Sequence, residues 1–552
     1  MSDRETAAEP DTDKGAKSMP KWDPEDPVFW QNTGKAIANR NLWVSIPNLL
    51  LAFAVWIHWS VVVGLVQGVH DTNPAHFAFL PGAGGSPLSG DAYRAMLYTL
   101  PAVAGLAGAT LRIPNSFMVG ICGGRNVKAM TTALLVLPAL GTGFALRNPD
   151  TPFTVFVILA ALSGIGGGAF ASSMSNISFF FPKRVQGLSL GLNAGLGNLG
   201  VALMQIATPL VVTLSVFGGS PRRLDGGDAW IENAGFMWVP VLILFSLLAW
   251  FCMNNLPQHR CGPTPVAVAR FLWLELLGFA GAALGIVLLI LPWGGFPELL
   301  KVAIVLFITV VVTLVLLRYM TPRGTRQNLA GQFAIFKNKH NWIMTYLYTM
   351  TFGSFIGYAN AFPKLLKDVF GYIRVDEAGV PLSQAIVNEN APDILTFAFL
   401  GAAMGAAIRP VGGWLADKWG GARVTHWDTI VMIGSAIACG WVVRMASVSP
   451  RPETYFWPFL TLFIVLFATT GIGNGSTFRM IAVIFKPEQA GPVLGWTSAI
   501  AAYGAFLIPI VLASQIKSGR PEYAMYGFAV YYVTCLFLNW RYYARKNAEV
   551  AC

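Results

Sequence analysis

Apolar runs of about 20 residues recur from end to end of this chain, and about 20 residues is the length of α-helix that crosses the core of a bilayer. Such runs are read near 44–69, 95–120, 127–146, 153–181, 185–216, 235–255, 268–292, 299–319, 340–370, 393–417, 427–447, 456–485, 490–516 and 523–543. They predict about fourteen spanning helices by the span-length rule. A transmembrane β-barrel would instead show short alternating segments. Charged residues make up 12% of the sequence, half of the roughly 25% usual in soluble proteins. The chain reads as an all-α polytopic membrane protein.

The net charge is +11, but it forms no aromatic-laced basic patch of the kind that binds nucleic acid. The basic residues punctuate the gaps between apolar runs. Met1–Trp43 is polar and mixed in charge, without the charged-then-apolar layout of a cleaved signal, and reads as a cytoplasmic tail. With that tail inside and the helices alternating, roughly twice as many Lys and Arg fall inside as outside, as the positive-inside rule requires. Both termini are then cytoplasmic. The six cysteines include no CxxC pair, so neither a metal site nor a disulfide framework is expected. No nucleotide-binding or haem-attachment motif is present, and no cofactor or enzymatic activity is expected.

The two ends of the chain echo each other. "LRIPNSFMVGICGGR" (111–125) resembles "IRPVGGWLADKWGGAR" (408–423), with Arg112 and Arg409 each preceding a Gly-Gly pair at the same interval. "FPKRVQGLSLGLN" (181–193) resembles "FKPEQAGPVLGWT" (485–497). A nearly constant offset of about 300 residues is what an internal duplication produces. The organisation expected is a tail (1–43), a six-helix bundle (44–256), a central insertion with two further helices (257–339), a second six-helix bundle (340–543) and a short cytoplasmic tail (544–552). Two such halves resemble the major facilitator superfamily. "GGWLADKWGG" (412–421) is similar to that superfamily's loop motif, with Gly413, Asp417, Lys418 and Gly420 matching; the first half's copy, "GICGGRNVK", lacks the acid.

Arg112 and Arg409 lie inside apolar runs. A charge at mid-membrane is costly and is a functional hypothesis by default. Each stands seven or eight residues from its helix's cytoplasmic end, about 11 Å at 1.5 Å per residue, a long reach for snorkelling. Equivalent positions in two halves face each other across the pseudo-twofold axis, so a central pair of arginines is expected. Neither bundle is read as carrying an intramembrane Asp or Glu to neutralise them. Glu275 is read near the end of an inserted helix, where snorkelling is the favoured explanation. Two forked, permanent cations facing a cavity suit a small flat oxyanion rather than a sugar, drug or cation. Arg479 sits close enough to the cytoplasmic end of its run to snorkel. His58 in "WIHWS" could titrate near neutral pH, although a lone helix His more often serves packing or hydrogen bonding.

"GAFASSMSNISFFFPKRVQGLSLGLNAGLGNLG" (168–200) is crowded with Gly, Ser and Asn. Small residues let helices approach closely and slide, which explains much of it and makes Gly195 and Gly197 candidate conformational positions. Asn193 and Asn198 are five apart and do not share one narrow face. One can bridge helices while the other reaches the cavity, where an amide donates to an oxyanion without adding charge. Tyr348 and Phe352 lie four apart on one helical face. With Phe170 they fit either core packing or a narrow aromatic slot that would reject tetrahedral sulfate or phosphate.

At these residues a narrower resemblance appears. "PEDPVFWQNTGKAIANRNLWVSIPNLLLAFAVW" (24–56), "LRIPNSFMV" (111–119), "FASSMSNISFFFPK" (170–183), "GLNAGLGNLG" (191–200), "TFGSFIGY" (351–358) and "GSTFRMIAVIF" (475–485) together resemble the NarK-type nitrate/nitrite porters, a branch of the major facilitator superfamily. The resemblance implies that Arg112 and Arg409 are the paired substrate arginines. It implies that Phe170 and Phe352 sandwich the anion, and that Tyr348 and Asn198 hydrogen-bond it. Asp417, Lys418 and Arg479 are candidate gating residues beside the two glycines. The chain departs from the family at Ala194, at Ala501 and Tyr503 where glycines are expected, at Arg479 where an uncharged polar residue is expected, and in its two extra helices.

The expected function is nitrate uptake in exchange for nitrite by alternating access, in a bacterial cytoplasmic (inner) membrane, by a monomer embedded in lipid. Exchange follows because closing two uncompensated arginines in a dry site is costly, whereas one bound monovalent anion offsets part of that repulsion. A nitrate/proton symporter, with His58 as coupling group, is the alternative. A nitrate-binding membrane sensor is the alternative of another class.

Overall fold

The computed structural model describes residues 21–552 apart from 80–92, 94–95, 98, 225–226, 260, 393 and 518. The first twenty residues of the expected tail, and the start of the run read from 95, lie outside the described residues. All fourteen expected runs coincide with helix. Ten of the described helices are long and apolar enough to cross a membrane by length and composition.

The first half contains α1 (Lys35–Ile57), α2 (Trp59–Thr72), α3 (Thr99–Cys122), α4 (Gly124–Leu134), α5 (Val136–Arg147), α6 (Phe153–Phe180), α7 (Gln186–Val211) and α8 (Trp238–Cys252). Between the halves come α9 (Thr264–Ile290), α10 (Glu298–Met320) and the short polar α11 (Arg323–Gln332). The second half contains α12 (Lys339–Tyr348), α13 (Ser354–Phe370), α14 (Ile394–Ala407), α15 (Arg409–Trp419), α16 (Gly421–Ser447), α17 (Phe456–Ile484), α18 (Pro487–Ala502), α19 (Gly504–Lys517) and α20 (Glu522–Asn539). Two small antiparallel hairpins, β1 (Arg222–Leu224) with β2 (Gly227–Ala229) and β3 (Tyr372–Val375) with β4 (Pro381–Val387), decorate connections.

Lipid tails are as apolar as Leu, so helices in a membrane associate through close packing rather than water exclusion. The small residues of α3, α6, α7 and α15 serve this. Helix α3 packs along α6 and α1 along α7 within the first half, and α16 packs on α17 and α20 within the second. The halves meet where α7 lies against α14 and α15, and where α18 lies against α3 and α6. At that seam a Cβ on Gly413 would stand 2.2 Å from the Gly187 carbonyl oxygen, so only glycine fits.

Several boundaries differ from the sequence reading, each for a physical reason. Helix α1 starts at Lys35 rather than 44. Its polar first turns lie outside the apolar run but are held by Arg40 and Asn41, which donate to Asn254 Oδ1 at 2.7 and 3.0 Å. Part of the expected tail is therefore helix. Trp22 is anchored too, its Nε1 donating to the Phe179 carbonyl at 3.0 Å. At Gly123 (φ 85°) and Gly420 (φ 91°) a single left-handed residue turns the chain, and the next helix starts at once. No loop separates them, so α16 begins at Gly421 rather than 427.

Candidate functional site

Arg112 sits on α3 and Arg409 is the first residue of α15, after a break at Ile408. Both are completely buried. The Phe352 ring lies between them, 4.8 Å from the Arg112 guanidinium carbon and 5.5 Å from that of Arg409. Phe170 stacks on Phe352 with centroids 5.1 Å apart and planes 16° apart. Tyr348 stacks on the ring's other neighbourhood, at 5.6 Å and 20°. Phe352 is delivered by a π-helical turn, Thr349–Gly353, joining α12 to α13. Such single-turn bulges inside helices rotate the following residues and are frequent at functional sites. Cation–π attraction of about 2 kcal/mol is typical for a desolvated pair, so the rings hold the two cations together where bare repulsion would part them.

The two arginines are engaged differently. Arg112 Nε donates to the Gly167 carbonyl on α6 at 2.8 Å, and its Nη1 donates to the Ser498 carbonyl on α18, in the opposite half, at 3.2 Å. Arg409 Nε reaches only its own helix region, the Gly405 carbonyl at 3.3 Å. Arg112 Nη2 and both terminal nitrogens of Arg409 are buried with no partner in the protein. No buried carboxylate pairs with either arginine among the described residues. Three unpartnered terminal nitrogens on two guanidinium cations, walled by aromatic faces, have N–H groups free to donate to an oxyanion.

Tyr348 OH lies 3.5 Å from Asn474 Oδ1, and Asn474 Nδ2 has no partner. Asn198 is fully buried; its Nδ2 donates to the Ala194 carbonyl at 2.6 Å and its Oδ1 is unpartnered. Asn193 is the bridging member of that pair, donating to Ser173 Oγ at 3.0 Å.

No family model matches the chain. It is 36% identical over 540 residues to the probable nitrate/nitrite antiporter NarK2 of Thermus thermophilus, with 96% of this chain and 97% of that protein covered. It is 34% identical over 554 residues to the nitrate/nitrite transporter NarU of Escherichia coli K12, with 95% and 96% covered. The chain belongs to the NarK/NarU family.

Solved structures give the fold independently. The proton:xylose symporter XylE superposes with a TM-score of 0.58 at 16% identity, over 92% of this chain and 96% of that one. The human organic anion transporter MFSD10 does so at 0.53 and 15%, over 92% and 100%. The fold is that of the major facilitator superfamily, and the NarK/NarU relatives, named as antiporter and transporter, make this chain a transporter rather than an enzyme.

In this NarK/NarU member the arginines and the three aromatic residues named from the sequence come together in one cluster. Phe53, Trp56 and Phe355 complete it, with Trp56 5.1 Å from Arg112 and Phe355 4.1 Å from Arg409. Those three and Asn474 were not legible in advance, because a lone aromatic or amide in an apolar helix looks like packing. His58 is buried with both ring nitrogens unpartnered and its ring against Trp59. No hydrogen bond or ring contact joins it to the cluster.

Of the five candidate gating residues, Asp417, Arg479 and Gly195 lie at the seam between halves, and Lys418 and Gly197 do not. Asp417 on α15 accepts from the backbone N–H of Gly187 at 3.2 Å and Leu188 at 2.9 Å, capping α7 of the other half. Arg479 does not snorkel into solvent. It pairs with Asp417 at 3.2 Å and donates to the Lys183 carbonyl at 2.8 Å. Lys418 is exposed and rests against Trp414 and Trp419 of its own helix end, so it bridges nothing. Gly195 faces the seam, 2.7 Å from Ala406 O at its notional Cβ, whereas Gly197 faces Leu49 inside its own half.

Two expectations about acids are corrected. Asp428 on α16 is buried inside the second bundle, with Oδ2 unpartnered and 2.7 Å from the notional Cβ of Gly473. A run starting at 427 puts Asp428 at its very end, whereas the helix starts at Gly421 and carries Asp428 two turns in. Glu275 does not snorkel: α9 begins at Thr264, so Glu275 stands eleven residues in, 3% exposed and against α3.

Proposed function

We propose that this chain carries nitrate and nitrite across a bacterial cytoplasmic membrane by alternating access, as an exchanger of nitrate for nitrite. The observation that carries this reading is the pair of buried arginines from opposite halves, flanking one aromatic ring with three N–H nitrogens unengaged. Arg112 and Arg409 would fork onto the anion's oxygens, Phe170 and Phe352, stacked on each other in this structure, would part to cover its flat faces, and Tyr348 and Asn198 would complete the hydrogen bonds. A planar, monovalent anion fits such a slot better than a tetrahedral, divalent one.

Full-length relatedness to proteins named as nitrate/nitrite antiporter and transporter supports the substrate class. The seam contacts of Asp417, Arg479 and Gly195 support rocking of two halves, here taken as 44–256 and 340–543, with 257–339 as an insertion between them. Both termini are placed in the cytoplasm by the positive-inside rule, and a monomer suffices because both arginines come from one chain. Exchange rests on electrostatics: closing the site without an anion leaves the three N–H nitrogens desolvated between two like charges.

A second reading, nitrate/proton symport, is favoured by one observation. The Asp428 carboxyl abuts Gly473 and thereby neighbours Asn474 of the site. His58 is the other candidate coupling group. Reconstitution into liposomes separates the two. Under exchange, nitrate uptake requires nitrite or nitrate inside and ignores an imposed proton gradient. Uptake into anion-free vesicles driven by inward protons would establish symport, and absence of flux in both conditions would point to a sensor.

A further inference from the structure

The inserted helix α9 carries a carboxyl to the back of the helix that bears Arg112. Glu275 Oε1 accepts from Asn115 Nδ2 at 2.7 Å, and Asn115 lies three residues after Arg112 on α3. The second N–H of that amide donates to the Leu111 carbonyl at 3.0 Å, so its donors are used up. Two acceptors remain without donors, Glu275 Oε2 and Asn115 Oδ1, and both are buried. A bare carboxylate would leave its charge uncompensated in this interior. It would also leave both acceptors unsatisfied, one on each side of the contact.

No cation compensates Glu275. On α3, Arg112 is turned to Gly167 and Ser498, and Cys122 is a thiol. On α9 itself, Arg270 is engaged by the Cys261 carbonyl at 3.3 Å. On α4, Arg125 lies over Trp250, and the Lys128 nitrogen is buried without a partner. At its contact with α9, helix α10 presents Thr309 and Thr313. Among the described residues no salt bridge includes Glu275.

We propose that Glu275 and Asn115 form a proton-binding site, a carboxylic acid paired with a carboxamide, that latches the inserted helices α9 and α10 to the arginine-bearing helix α3. One proton taken from solvent adds to Glu275 Oε2 and makes it a donor, which Asn115 Oδ1 accepts. The two side chains then exchange one hydrogen bond in each direction, and no charge or orphan acceptor remains. The surroundings are built for this approach. The notional Cβ of Gly278 lies 2.8 Å from Pro114 and that of Gly168 lies 2.9 Å from Asn115 Nδ2, so glycines on two helices make room for the pair. The insertion is thereby a fixed part of the first half rather than a lipid-facing addition. This holds whichever anion is carried and whether or not protons are transported.

Infrared spectroscopy of the full-length protein in liposomes at neutral pH tests it. The difference between wild type and E275Q should contain one protonated-carboxyl carbonyl stretch, lost in the variant and shifted in N115L. Loss of carboxylate bands instead would overturn the proposal. Gln presents an acceptor and a donor in the same places as the protonated acid, so E275Q should keep the wild-type unfolding midpoint and nitrate flux. E275A and N115A should each lower the midpoint, and the double variant should fall no further than the weaker single one. Additive losses would overturn the latch. Should E275A fail to fold, the E275Q spectrum still decides the protonation state.

Discussion

Phe170 from the first half and Phe352 from the second stack at 5.1 Å, with the Arg112 guanidinium carbon 4.8 Å from both rings. One ring pair thus ties the two halves together across the cation proposed to hold the substrate. Aromatic pairs contribute about 0.5–1.5 kcal/mol beyond area burial, enough to bias the closed state without locking it. F352A removes contacts to both arginines at once. It is expected to reduce nitrate flux strongly and to let chlorate or sulfate compete, measured as inhibition of labelled nitrate uptake. Unchanged anion selectivity would remove Phe352 from the slot.

The arginine fork predicts that Lys is no substitute. R409K keeps the charge but loses the planar pair of donors. A lost charge-assisted hydrogen bond is worth about 1.5–3 kcal/mol, so nitrate affinity should fall by roughly tenfold to a hundredfold. Binding calorimetry on purified protein reads this directly. Near-wild-type affinity would mean that Arg409 acts as a point charge.

Asp417 holds two N–H groups of α7 and Arg479 together. D417N keeps the shape but weakens all three charge-assisted bonds, so the seam should open more often. Faster labelling of a cysteine placed at Leu188 would report it, with transport slowed. Labelling at the wild-type rate would confine Asp417 to a role within its own half.

Gly413 cannot accept a side chain while the seam is closed. Overpacking of a tight contact costs about 1–3 kcal/mol, and G413A should trap the open arrangement, abolishing flux while expression and nitrate-free stability persist. Wild-type flux would mean that the closed seam is not visited during transport.

The parts of this molecule legible in the sequence are those where a residue breaks the logic of its surroundings. Arg112 and Arg409 stand out because charge is expensive inside an apolar run, and the repeat makes them a pair. Phe170, Phe352 and Tyr348 needed the family resemblance, since 13% of the chain is aromatic and rings in helices mostly pack. Glu275 and Asp428 were misread for one shared reason. Helices here continue past their apolar stretches, to Thr264 in one case and Gly421 in the other. Hydropathy marks where lipid touches a helix, and it does not mark where the helix ends.

The Ser498 carbonyl, 3.2 Å from Arg112 Nη1, sits on the opposite half and is itself an oxygen acceptor. An anion oxygen that claims this N–H displaces a backbone oxygen of the other half. On the proposed function, ligand and protein would then be rivals for one donor, and arrival of cargo would release a thread of the seam that its presence is meant to close. Arg409 has no such partner across the seam, so the two arginines, matched in sequence, are held unequally by the protein.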